Sequence, residues 1–157
     1  MRETGPDAVN DAEYEATKAR ILAIFNRWQG PLGLRWWRVN LVWDREHDTA
    51  HSDSDLGGNV VSMCCAVTTV SWAYLEATIT WFVPACAELD DERIEYIVLH
   101  EMAHILVNEM RWADENAGPH NMAHEERVCT GLGHAFQWVR DFALKGELSP
   151  ALEVSNG

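Results

Sequence analysis

The chain has 157 residues, 47% of them hydrophobic and 24% charged. This is the length of one domain with a real core and the usage of an ordinary globular protein, which excludes a disordered or collagen-like chain. Twelve Lys and Arg stand against 25 Asp and Glu, a net charge of −13 with His neutral. Direct binding to nucleic-acid phosphates or to anionic lipid needs a basic surface, so both are disfavoured.

A helix is predicted from about residue 10 to 28. Tyr14, Ile21, Ile24, Phe25 and Trp28 recur at helical spacing in a stretch rich in Ala, Glu and Arg, and Gly30-Pro31-Leu32-Gly33 ends it. The period then changes to two. Trp37, Val39, Leu41 and Trp43 alternate with Trp36, Arg38, Asn40 and Val42, the signature of a strand with one covered face. Residues 44–58, with Asp53-Ser54-Asp55 and Gly57-Gly58, read as a surface loop. Residues 59–70 and 74–83 are both strand-like and close in sequence, so an antiparallel hairpin is expected. In the second, Leu75, Ala77, Ile79, Trp81 and Val83 share a face until Pro84 stops the ladder.

From Asp90 the chain turns helical. Ile94, Ile97, Val98, Glu101, His104, Ile105 and Asn108 keep the spacing, and Asp90 or Asp91 can cap the amino end. A breaker-rich connection over 112–120, with Trp112 expected at the surface, leads to a last helix from about 122 to 145. Val128, Leu132, Ala135, Phe136 and Val139 are predicted to face inward there. The expected fold is α+β: an N-terminal helix, a small mainly antiparallel sheet and two final helices, forming a single domain over 1–157. Residues 1–9 and 150–157 are expected to be flexible. No run approaches the roughly 18 apolar residues of a membrane span, and Met1-Arg2-Glu3-Thr4-Gly5-Pro6-Asp7 lacks the apolar core of a signal peptide. Cys64, Cys65, Cys86 and Cys129 form no CxxC pair and suit reduced thiols, so a cytoplasmic protein without membrane association is expected.

The chemistry is concentrated in His100-Glu101-Met102-Ala103-His104, an HExxH pattern. Histidines at i and i+4 emerge on one helical face, so both imidazoles can reach one zinc ion, while Glu101 is placed to act as a general base on water. His100 and His104 lie at the edge of the apolar stripe of Ile94 and Ile97, where uncompensated polar groups are costly and a metal would satisfy them. A catalytic zinc takes a third protein ligand and leaves a position for water. Glu125 shares a face with the predicted inward stripe of the last helix, which makes it the better third ligand. Glu126, rotated about 100° from it, is the alternative. His134 lies half a turn out of phase with Glu125, while His120 and His124 near the turn are candidates for metal or substrate contacts.

This arrangement resembles the zincin metallopeptidases, and within them the gluzincins, which carry HExxH on one helix and a ligand glutamate on a second about twenty residues later. Twenty residues separate His104 from Glu125. The compact element order looks like that of the minigluzincins, and the resemblance covers mainly residues 74–140. Metzincin-like ligation would need glycine at position 107 and histidine at 110, where this chain has Val107 and Met110. A SprT-like site with a third histidine stays open through His120, His124 or His134.

The resemblance implies hydrolysis of peptide bonds, as an endopeptidase in preference to an exopeptidase, with one zinc ion held by His100, His104 and Glu125 and with Glu101 as base. It also implies a peptide or protein substrate lying along an edge strand, a role that would fall to 74–83. No residue stands out as oxyanion stabiliser beyond His120 and His124. Two other readings compete: a non-catalytic protein stabilised by zinc for interaction, and a SprT-like protease recruited by nucleic-acid-associated partners. Glu101 argues against the first, because a structural site has no use for it. A regulatory protein partner is left open.

Overall fold

The computed structural model describes residues 10–45, 64–112 (side chains to 108) and 119–145 (side chains from 124). The expected flexible ends, most of the 44–58 loop, residues 59–63 and the side chains of Trp112 and His120 lie outside the described residues.

Helix α1 spans Asp11–Gln29. Asn10 caps it, its Oδ1 accepting from the Glu13 N–H at 2.9 Å, and Asp11 and Glu13 favour the positive end of the helix dipole. Its buried line is Tyr14, Thr17, Ile21, Ile24 and Phe25, so Thr17 fills the turn in which the sequence shows no large apolar residue. Gly33 takes a left-handed φ of 73° as the chain reverses.

Three strands follow: β1 (Arg38–Asp44), β2 (Ala66–Ser71) and β3 (Glu76–Phe82). Their order is β1-β3-β2. β2 and β3 form the expected antiparallel hairpin, turning through Trp72–Tyr74 and through Leu75 at φ 51°. β1 runs parallel to β3, with Val39 opposite Ala77 and Leu41 opposite Ile79. The sheet is therefore mixed, not mainly antiparallel. Alternation reports which face is covered but not strand direction, and β2, running antiparallel to β3, returns the chain so that β3 can lie parallel to β1. Ala77, Ile79 and Trp81 are buried as expected, whereas Leu75 is an exposed turn residue and Val83 is buried at the start of the short helix α2 (Val83–Cys86).

Helix α3 (Asp91–Trp112) is the centre of the molecule. The Asp90 carboxylate accepts from the Arg93 N–H at 2.8 Å and caps it. Ile94, Val98, Leu99, Met102, Ala103 and Ile105 are all buried, because α1 and β2 cover one side and helix α4 (Pro119–Leu144) the other.

α4 presents the predicted stripe only in part, with Val128, Leu132 and Phe136 half-buried. Ala135 and Val139 are exposed, and Cys129 and Gly133 are buried against α3. A β-carbon built on Gly133 would lie 3.3 Å from Tyr96 Cε2, so the missing side chain is what lets the two helices come this close. The inward line Cys129, Gly133, Phe136 and Arg140 is rotated roughly a quarter turn from the expected one. At its far end Glu95, buried on α3, accepts from Trp28 Nε1 at 2.7 Å and pairs with Arg27 and Arg140, tying α1, α3 and α4 together. No described helix is long and apolar enough to cross a membrane.

Candidate metal centre

Helical spacing on α3 brings the rings of His100 and His104 to 4.9 Å between centroids, nearly perpendicular, with their Nε2 atoms 3.2 Å apart. Both side chains are largely covered, 16% and 12% exposed. α4 closes the site from above with two consecutive glutamates. The rotated inward line passes between Glu125 and Glu126, about 50° from each, so both reach α3.

The two carboxylates approach differently. Glu126 lies across both imidazoles, 3.2 Å from His100 Nε2 and 3.3 Å from His104 Nε2. Glu125 reaches the other side of one ring, with Oε1 2.8 Å from His104 Nδ1. The atoms that converge are thus His100, His104 and Glu126, all within 4.8 Å of one another, a group among the described residues that could hold a metal ion. The carboxylate in that group is Glu126, and not Glu125, which the sequence ranks first. The sequence ranking assumed that large apolar residues mark the inner face of α4, whereas small Cys129 and Gly133 mark it.

Glu101 is buried on the same helix, and the Thr68 hydroxyl on β2 donates to its Oε2 at 2.6 Å. Burial raises the Glu101 carboxyl above the usual range, against the lowering effects of Thr68 and the two histidines. Burial pulls His100 down, but its hydrogen bond to the accepting Glu126 carboxylate and the charges of Glu101 and Glu126 outweigh that and raise it. The same hydrogen bond, more than burial opposes, holds Glu126 below its ordinary value. Cys129 is pushed up to about 12 by burial and by the carboxylates of Glu125, Glu126 and Glu101. Three carboxylates therefore surround two imidazoles in a partly dry site, a field that suits a cation. His100 Nδ1 is buried with no hydrogen-bond partner among the described residues.

The remaining histidines stand apart from this group. His124 is exposed and contacts Arg127 at 3.2 Å; His134 is exposed and lies against the Tyr96 ring at 4.6 Å. Among the described residues, 76–82 form the central strand, so 74–83 is not the edge strand that was expected; β2 borders β3 on one side and packs on α3. Thr68, Tyr96 and Gly133 had no signal in the sequence, because each acts through a neighbour distant along the chain.

Two imidazole nitrogens and a carboxylate oxygen are the donor set that zinc takes in catalytic sites, with a further position for water. The residues present fit that ion. No protein-family model matches the chain, and comparison with curated proteins and with solved structures finds no match.

Proposed function

We propose that the chain is a zinc-dependent endopeptidase with a zincin-like fold of the gluzincin kind, in which His100, His104 and Glu126 hold one zinc ion. The observation that carries this is the convergence of their ligand atoms within 4.8 Å beside the buried carboxylate of Glu101. Bound zinc would supply Lewis acidity, polarising the scissile carbonyl and making water more acidic.

The rest of the chemistry belongs to the chain. Glu101 accepts the proton of the attacking water and passes it to the leaving nitrogen. Burial raises its affinity for protons, which favours taking one from water. Thr68 engages Oε2 of that carboxylate, leaving Oε1 for the water. An extended peptide pairs along β2, whose Thr68 touches the base directly, so the strand that binds also positions. Exposed His124 and the Tyr96-stacked His134 favour the glutamate-ligand reading over a third histidine. The substrate is a peptide or protein met in the cytoplasm, with no direct nucleic-acid binding.

Reconstitution with zinc followed by a peptide-library cleavage assay tests this. Glu101→Gln should lower turnover by about 10²- to 10⁴-fold while zinc binding persists. Equal cleavage by the variant, or none by the zinc-loaded wild type, would overturn it.

A further inference from the structure

We infer that Glu125 is a positioning residue for the metal centre: its carboxylate holds the Nδ1 edge of His104 and presents Nε2 to the ion. This rests on the zinc reading above and adds a division of labour between two adjacent glutamates. Glu125 Oε1 lies 2.8 Å from His104 Nδ1, whereas the His104 Nε2 atom faces His100 and Glu126. With the Nδ1 proton donated to a carboxylate, the lone pair of the neutral ring is on Nε2, the atom that points at the candidate ligand group. The Glu125 side chain is 10% exposed and that of Glu126 is 58% exposed. The covered carboxylate orients, and the open one meets the ion.

The two histidines are not equivalent in this respect. His100 Nδ1 has no hydrogen-bond partner among the described residues, so the pair is oriented from the His104 side. Consecutive residues of a helix differ by about 100° in direction, so one two-residue segment of α4 supplies both a ligand and a ligand's support. Partners of this kind fix ring orientation and raise ligand basicity, and their loss commonly costs 10–100-fold in metal affinity.

The test measures zinc affinity by competition with a chromophoric chelator, on wild type, Glu125→Leu, Glu125→Gln and Glu126→Gln. Cobalt spectra and thermal unfolding of each metal-free variant accompany it. Glu125→Leu should bind zinc about 10–100-fold more weakly, yet keep the wild-type cobalt ligand-field bands. Glu125→Gln, whose amide oxygen still accepts from Nδ1, should recover most of the loss. Glu126→Gln should alter the bands themselves. In the cobalt protein one exchange-protected imidazole N–H resonance, that of His104, should be present in wild type and in Glu125→Gln and lost in Glu125→Leu. If Glu125→Leu binds zinc within about twofold of wild type, outside the expected range, or changes the cobalt bands as a ligand loss does, the positioning role is wrong while the zinc site stands. A folded wild type that takes up neither ion overturns the zinc reading itself, and this role with it.

Discussion

Thr68→Val removes a single oxygen from the wall of the site and replaces it with a methyl group of nearly the same size. The lost interaction is a hydroxyl donating to a buried carboxylate at 2.6 Å. Hydrogen bonds to charged groups are worth about 1.5–3 kcal/mol, and the preserved shape keeps any cavity contribution small. For a chain of this size each kcal/mol moves the midpoint by about 2–4 °C, so metal-free Thr68→Val should melt roughly 3–12 °C below wild type at neutral pH. The difference should depend on pH with a definite sign. Burial already raises the Glu101 pKa, and Thr68 counteracts that rise; without the hydroxyl the folded-state pKa climbs further. The threonine's contribution is therefore complete above the variant's pKa and fades as pH falls from there to the wild-type value. Below both, only a neutral hydrogen bond of about 1 kcal/mol is at stake. Calorimetry across a pH series measures this directly. A neutral-pH midpoint equal to wild type, or a deficit that stays constant into acid, would refute the coupling between β2 and the base.

Metal-free Glu101→Gln should melt above wild type at neutral pH, because it abolishes the cost of a buried charge. Since the folded pKa is raised, that advantage should shrink as pH falls from the folded value to the ordinary unfolded one, seen in the same calorimetric series. Gly133→Leu should destabilise by about 1–3 kcal/mol through overpacking against Tyr96 and should weaken zinc binding by moving α4 away from α3. Gly131→Ala, two positions earlier with open space around it, should instead stabilise by about 1 kcal/mol from helix propensity, as denaturant titration would show. Among the thiols, Cys65 should react first with iodoacetamide, ahead of Cys86 and Cys129, in a peptide-mapping time course. The hydrogen bond between the two cysteine side chains holds Cys65 below the usual range, whereas that same interaction and burial push Cys86 up.

Much of the site was legible because it is local. HExxH needs only helical spacing, and the caps, apolar period and breakers around 90–112 identify the helix without any tertiary knowledge. The hairpin of β2 and β3 was legible for the same reason, as one short connection. Strand direction for β1 was not, since alternation is the same for either neighbour orientation. The rotation of α4 was not legible on similar grounds. Large residues such as Val139 looked like the inner face of α4, but close helix approach selects small ones, and Gly133 against Tyr96 decides the rotation. Glu95 illustrates the limit well. In sequence it is an acidic residue near a helix start, and only the arrival of Trp28, Arg27 and Arg140 from two other helices explains its burial.

The most direct test is a crystal structure of the protein after zinc loading. One ion is expected, with His100 Nε2, His104 Nε2 and a Glu126 oxygen at about 2.0–2.2 Å and a water in the remaining position, and with Glu125 still on His104 Nδ1. An ion ligated by Glu125 in place of Glu126, a fourth side chain where the water should be, or no ion between the two histidines would contradict it.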